Sequence, residues 1–194
     1  MEQRFSAAFS RRLSETRFSA KGIMTIPYRG TTGDGTYFVT SSTFQKKALI
    51  QSERTATLFI ETLLQYRSQH KYELHEFVVM PDHFHLLITP VVTLEKALQL
   101  IKGTFSFRAG KLFQVRGNIW QESFYDRRVR DAVEYAAFKR YIRWNRVKRG
   151  LAEAPEKYAY SSAFGEIALD SAPQWLKPSM KENLSRSAEA LLHP

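Results

Sequence analysis

Residues 73–89 read ELHEFVVM, then Pro-Asp, then HFHLLIT: two strand-forming runs parted by a dipeptide that breaks strands. Two residues are too few for a crossover, so the runs must turn back on each other as an antiparallel hairpin. That hairpin is the strongest constraint on the fold. Upstream, Ala56, Phe59, Ile60, Leu63 and Tyr66 recur at the spacing of one helix face, with Ser52 as the cap. Downstream, Thr93 opens a second helix carrying Leu94, Ala97, Leu98 and Ile101 and fading near Gly110. Residues 36–44 alternate as a first strand after the glycine-rich stretch 30–35, and a short fourth strand is expected around residues 123–125. Asp131, with Glu134 three residues on, starts a third helix that Gly150 stops. The order βαββαβ, then α, predicts an α+β, ferredoxin-like (split βαβ) antiparallel sheet with helices on one face and an added C-terminal helix.

Outside this frame the chain is less regular. The first 23 residues are rich in Arg, Ser and Phe and lack the apolar stretch of a secretory signal, so residues 1–23 read as a flexible basic arm and Met24 as a second possible start. One domain is expected over 24–165. A turn-rich tail follows over 166–194, with a weak amphipathic helix over 179–192. Hydrophobic content of 43% suffices to build a core without staples. The absence of cysteine excludes disulfides and thiolate metal sites and favours a reducing cytoplasm. No apolar run approaches the roughly 18 residues that a membrane span requires, so a soluble protein is expected.

Charge is uneven. Residues 101–150 carry thirteen Lys and Arg against four acids, most of the whole chain's +10. Phe105, Phe107, Phe113, Trp120, Phe124, Tyr125 and Trp144 are interleaved with these cations. Cations mixed with aromatics suit a polyanion whose bases stack, although a solvated helix face over core aromatics gives the same pattern.

The chemistry gathers at MPDHFHLLITP, residues 80–90. Side chains at i and i+2 of a strand share a face, so His83 and His85 stand side by side and can present two imidazoles to one ion. Equally, they can hydrogen-bond within the sheet. The third helix offers Tyr141 and Asn145, four apart and therefore on one face. Asparagine forms helix interiors poorly, which asks for a reason: a third metal ligand through its carbonyl oxygen, or a solvent-facing place near a fraying end. Tyr125 is the rival to Tyr141 as a nucleophile, and Asp82 either supports a ligand histidine or only makes the turn.

The blocks MPDHFHLLI, LIKGTFSFR, WQESFYDRRVR, YIRWNRVKRGL and YAYSSA, in this order between about Tyr28 and Phe164, resemble the HUH single-tyrosine transposases, and most closely the REP-associated tyrosine transposases. The resemblance implies that His83, His85 and Asn145 hold a divalent metal, Mg²⁺ or Mn²⁺, and that Tyr141 is the nucleophile. It implies a metal-dependent single-strand endonuclease and strand-transferase that cuts DNA beside hairpin or palindromic repeats through a covalent phosphotyrosine. Arg127, Arg128, Arg130, Arg143, Lys148 and Arg149 are the candidates for DNA backbone contact, and the chain acts as a monomer or homodimer without membrane partners. One departure stands out: Asn145-Arg146-Val147 replaces the family's usual Asn-Pro-Val, which lets the helix run further. Two other readings compete. A non-catalytic RRM-like nucleic-acid-binding module leaves Asn145 unexplained, and a zinc hydrolase lacks a glutamate placed beside the histidines.

Overall fold

The computed structural model of the protein describes residues 35–165 and 167–176. The expected arm over 1–23 and the weak helix over 179–192 lie outside the described residues. The strands and α-helices run β1 (Tyr37–Ser42), α1 (Glu53–Ser68), β2 (Tyr72–Met80), β3 (His83–Pro90), α2 (Leu94–Phe113), β4 (Tyr125–Arg128) and α3 (Ala132–Lys148). The sheet order is β2-β3-β1-β4 with every pair antiparallel, which is the split βαβ arrangement.

Each strand divides its side chains between two faces. Val39, Phe84, Leu86, Ile88 and Val79 face α1 and α2 and form the main core with Phe59, Leu63, Leu98, Ile101 and Phe105. Phe59 lies 4.8 Å from Phe84, ring to ring, and Trp120 lies 5.4 Å from Phe105. Burial of each such side chain contributes about 1.5–3 kcal/mol, and this layer therefore supplies most of the fold's driving force. The expected caps hold: Ser52 accepts from Thr55 N–H, Thr93 from Lys96 N–H and Asp131 from Glu134 N–H.

The third helix, α3, lies over the opposite face, chiefly across β2 and β3. Phe138 stacks on Phe38 of β1 with centroids 4.5 Å apart, and Ile142 is fully buried. Three details differ from the sequence expectation. The fourth strand falls at Tyr125–Arg128 rather than around 123–125, because pairing with β1 sets its register and an edge strand tolerates two arginines. The second helix continues past Gly110 to Phe113, since Ala109 and Phe113 still pack on the core and offset the roughly 1 kcal/mol cost of a helical glycine. Of the interleaved aromatics, Phe105 is buried and Phe113, Trp120 and Phe124 are packed against the core, whereas Phe107, Tyr125 and Trp144 are exposed.

Candidate active site

β3 and α3 bring the sequence-picked residues together. His83 and His85 are both buried on the α3 face, their rings 4.9 Å apart at 80°. Asn145, also buried, places its Nδ2 3.2 Å from His85 Nε2, and Tyr141 sits one turn back with its ring 5.3 Å from that of His85. Four side chains from two elements sixty residues apart thus meet at one point.

Each histidine is held from behind. The Asp82 carboxylate lies 2.6 Å from His83 Nδ1, and Thr40 Oγ1 lies 2.7 Å from His85 Nδ1. With Nε2 of His85 accepting from Asn145, its ring proton sits on Nδ1 and is donated to Thr40. Burial lowers the pKa of His83, although Asp82 opposes the shift, and lowers that of His85 well below the ordinary value. Both imidazoles are therefore neutral at pH 7. Burial also works against ionisation of Asp82, yet its hydrogen bond with His83 and the nearby Lys46 and Arg149 keep the carboxyl below its usual range. The Tyr141 phenol is pushed up by burial, against the pull of Arg149 and a hydrogen bond with Asn145. A phenol raised in this way is a poor nucleophile at pH 7 without an electrophilic aid.

The donor set fits a divalent cation. Asn145 Oδ1 is buried and has no hydrogen-bond partner among the described residues, an orphaned acceptor that costs about 1–3 kcal/mol if left unmet. Two neutral imidazoles with their Nδ1 atoms occupied, beside a buried carbonyl oxygen in want of a donor, make a ligand set that Mg²⁺, Mn²⁺ or Zn²⁺ accepts. No cluster of three His, Cys, Asp or Glu that could hold a metal exists among the described residues.

The six basic candidates fall in different places. Arg127 and Arg130 both pair with Glu134, at 2.5 Å and 3.3 Å, and Arg143 pairs with Glu76 at 3.0 Å. Arg128 lies against Gly35, where any Cβ would meet its Nε at 2.7 Å. Lys148 and Arg149 are exposed at the end of α3, and the charge of Arg149 is felt by Asp82, His83, His85 and Tyr141 alike.

Three supporting roles escaped the sequence reading. Thr40 looks like any strand threonine until β1 pairs it with His85. Glu76 is a carboxylate buried in β2 beside a bulge, bonded by Ser162, Arg143 and, at 3.7 Å, Lys139. A charge inside the apolar run ELHEFVVM was the available signal. Arg146, in the place of the family's proline, is fully buried with its guanidinium 4.3 Å from the Tyr158 ring centre, and burial lowers its pKa to about 10. Its backbone leaves α3 unbroken to Lys148, as the missing proline implied.

The comparisons with known proteins bear on the fold and the family. A REP-associated tyrosine transposase of Haemophilus influenzae is 24% identical over 165 residues, which cover 75% of this chain and 89% of that protein. A solved REP-associated tyrosine transposase bound to a REP hairpin matches the fold with a TM-score of 0.59 and 22% identity, over 78% of this chain and 93% of the other. The family described as "Transposase IS200 like" matches residues 34–145, from just before β1 to Asn145 itself, and this chain belongs to that family of transposases.

Proposed function

We propose that the protein nicks and rejoins single-stranded DNA beside hairpin-forming repeats through a covalent bond between the DNA and Tyr141. The observation that carries this reading is the meeting of Tyr141, Asn145, His83 and His85 at one face of the sheet, with the Asn145 carbonyl oxygen lacking a partner among the described residues. His83, His85 and Asn145 would hold Mg²⁺ or Mn²⁺, and the ion when bound would supply polarisation of a phosphate and compensation of the charge developing on it.

The chain's own residues supply the rest. Tyr141 Oη gives up its proton to solvent and attacks phosphorus, and the bond to the leaving strand oxygen breaks as that oxygen takes up a proton from solvent and departs as a hydroxyl. The phosphotyrosine keeps the ester's energy, so a later hydroxyl reseals the strand without ATP. Asn145 holds the phenol by a hydrogen bond, and Arg149 stands where an incoming phosphate needs a positive charge. The solved relative's REP hairpin makes hairpin repeat DNA the substrate to try first. A cytoplasmic site of action is inferred from the DNA substrate alone; separately, no helix among the described residues is long and apolar enough to cross a membrane.

The test is a labelled hairpin oligonucleotide with a single-stranded flank, incubated with Mn²⁺ and run on a denaturing gel. The expected result is a protein–DNA adduct that is absent with chelator and absent in Tyr141→Phe. An adduct that survives Tyr141→Phe removes the assignment.

A further inference from the structure

Tyr125 opens β4 at the sheet edge and is 39% exposed, although it stands on the face that carries the site. The pairing registers place it in one row with a metal-ligand candidate: His85 is opposite Thr40 across the β1–β3 pair, and Thr40 is opposite Tyr125 across the β1–β4 pair. Two strand spacings put the Tyr125 and His85 backbones about 10 Å apart. Between them lies Phe38, a shared floor. Its ring stacks on His85 at 5.5 Å and meets Tyr141 edge-on at 5.7 Å and Tyr125 edge-on at 6.4 Å.

α3 lies chiefly over β2 and β3, so the β4 side of this face keeps an open aromatic beside Tyr141 rather than a covered one. The strand that carries it also carries Arg128, whose charge favours a polyanion along this edge, whereas its neighbour Arg127 is engaged by Glu134. Solitary exposed aromatics are ordinary on protein surfaces. An aromatic joined through one ring to both the nucleophile and a ligand histidine is not solitary.

We propose that Tyr125 is a stacking platform for a DNA base in the single-stranded flank, next to the phosphate presented to Tyr141; the inference rests on the transposase reading above. Stacking on a tyrosine ring tolerates any base, so Tyr125 sets the path and position of the strand, and its sequence is read elsewhere. The hydroxyl has no part in this role; the ring carries it.

The test measures binding apart from cleavage. The Tyr141→Phe protein, in chelator, is titrated into labelled hairpin DNA, intact or with one abasic residue placed in turn at each flank position, and affinity is read by fluorescence anisotropy. Adding Tyr125→Ala is expected to weaken binding of the intact strand roughly 5- to 100-fold, and Tyr125→Phe to restore it. At one flank position the abasic strand should bind equally well to the proteins with and without the Tyr125→Ala substitution. Unchanged affinity in Tyr125→Ala, or an equal loss on every abasic strand, overturns the proposal. The cleavage reading fails by a different sign, the absence of any adduct when Tyr141 and Mn²⁺ are present.

Discussion

Asp82 and Thr40 aim two imidazoles that a strand alone would leave free to turn. Each fixes one Nδ1, at 2.6 Å and 2.7 Å, and the bond at His85 leaves its Nε2 lone pair facing Asn145, beside the Tyr141 ring. Such partners typically govern metal affinity by 10- to 100-fold. Asp82→Asn is therefore expected to weaken Mn²⁺ binding by about that factor in calorimetry, with the fold intact by circular dichroism. Asn145→Ala should weaken it further and also cost about 1–3 kcal/mol of stability without metal, because the buried His85 Nε2 loses the donor that Asn145 Nδ2 supplies. Equal Mn²⁺ affinity in the wild type and Asn145→Ala would remove Asn145 from the ligand set. The histidines and Asn145 were legible in the sequence because each breaks a local rule: imidazoles in an apolar strand, an amide inside a helix. Thr40 breaks none, and only strand pairing reveals it.

At the scale of elements, the site exists because α3 is held at one angle across the sheet. Phe138 and Ile142 supply apolar contact, but the clamp on its polar side is Glu76, whose buried carboxylate takes Arg143 at 3.0 Å and Lys139 at 3.7 Å from successive turns of α3. Arg143 is nearly half exposed, so the ion pair itself is screened; the buried carboxylate and its bond from Ser162 carry more. Glu76→Gln keeps the shape and removes the charge. It is expected to cost about 1–3 kcal/mol in urea unfolding and to slow adduct formation more than it weakens DNA binding, since Tyr141 loses its fixed place over His85. A variant as stable and as fast as the wild type would show that apolar packing alone sets α3. The order of elements followed from periodicity and caps. The face that α3 covers did not, because this helix presents cations, aromatics and an amide around most of its circumference. Likewise the register of β4 is a property of β1, its partner, and a four-residue edge strand with two arginines carries little pattern of its own.

Across the whole molecule, the basic quarter that stood out in the sequence divides into cations with different tasks. Glu134 takes Arg127 and Arg130, Glu76 takes Arg143 and Lys139, and Arg146 is buried against Tyr158. The number of Lys and Arg therefore overstates the number of phosphates the protein neutralises, and salt dependence measures the true number. For single strands, log Kobs falls with log salt at about 0.7 per phosphate contacted. Arg149, exposed and acting on Asp82, both histidines and Tyr141, is expected to account for one contact: Arg149→Ala should lower the slope by roughly 0.7 and weaken binding similarly for all flank sequences. Arg130→Ala, which frees the Glu134 carboxylate from one of its partners, should leave the slope nearly unchanged. Anisotropy titrations of both variants between low and physiological salt decide the matter. Equal slope changes in the two would mean that the ion pair with Glu134 opens on DNA, and that the arginines of β4 and its flank belong to the contact surface after all.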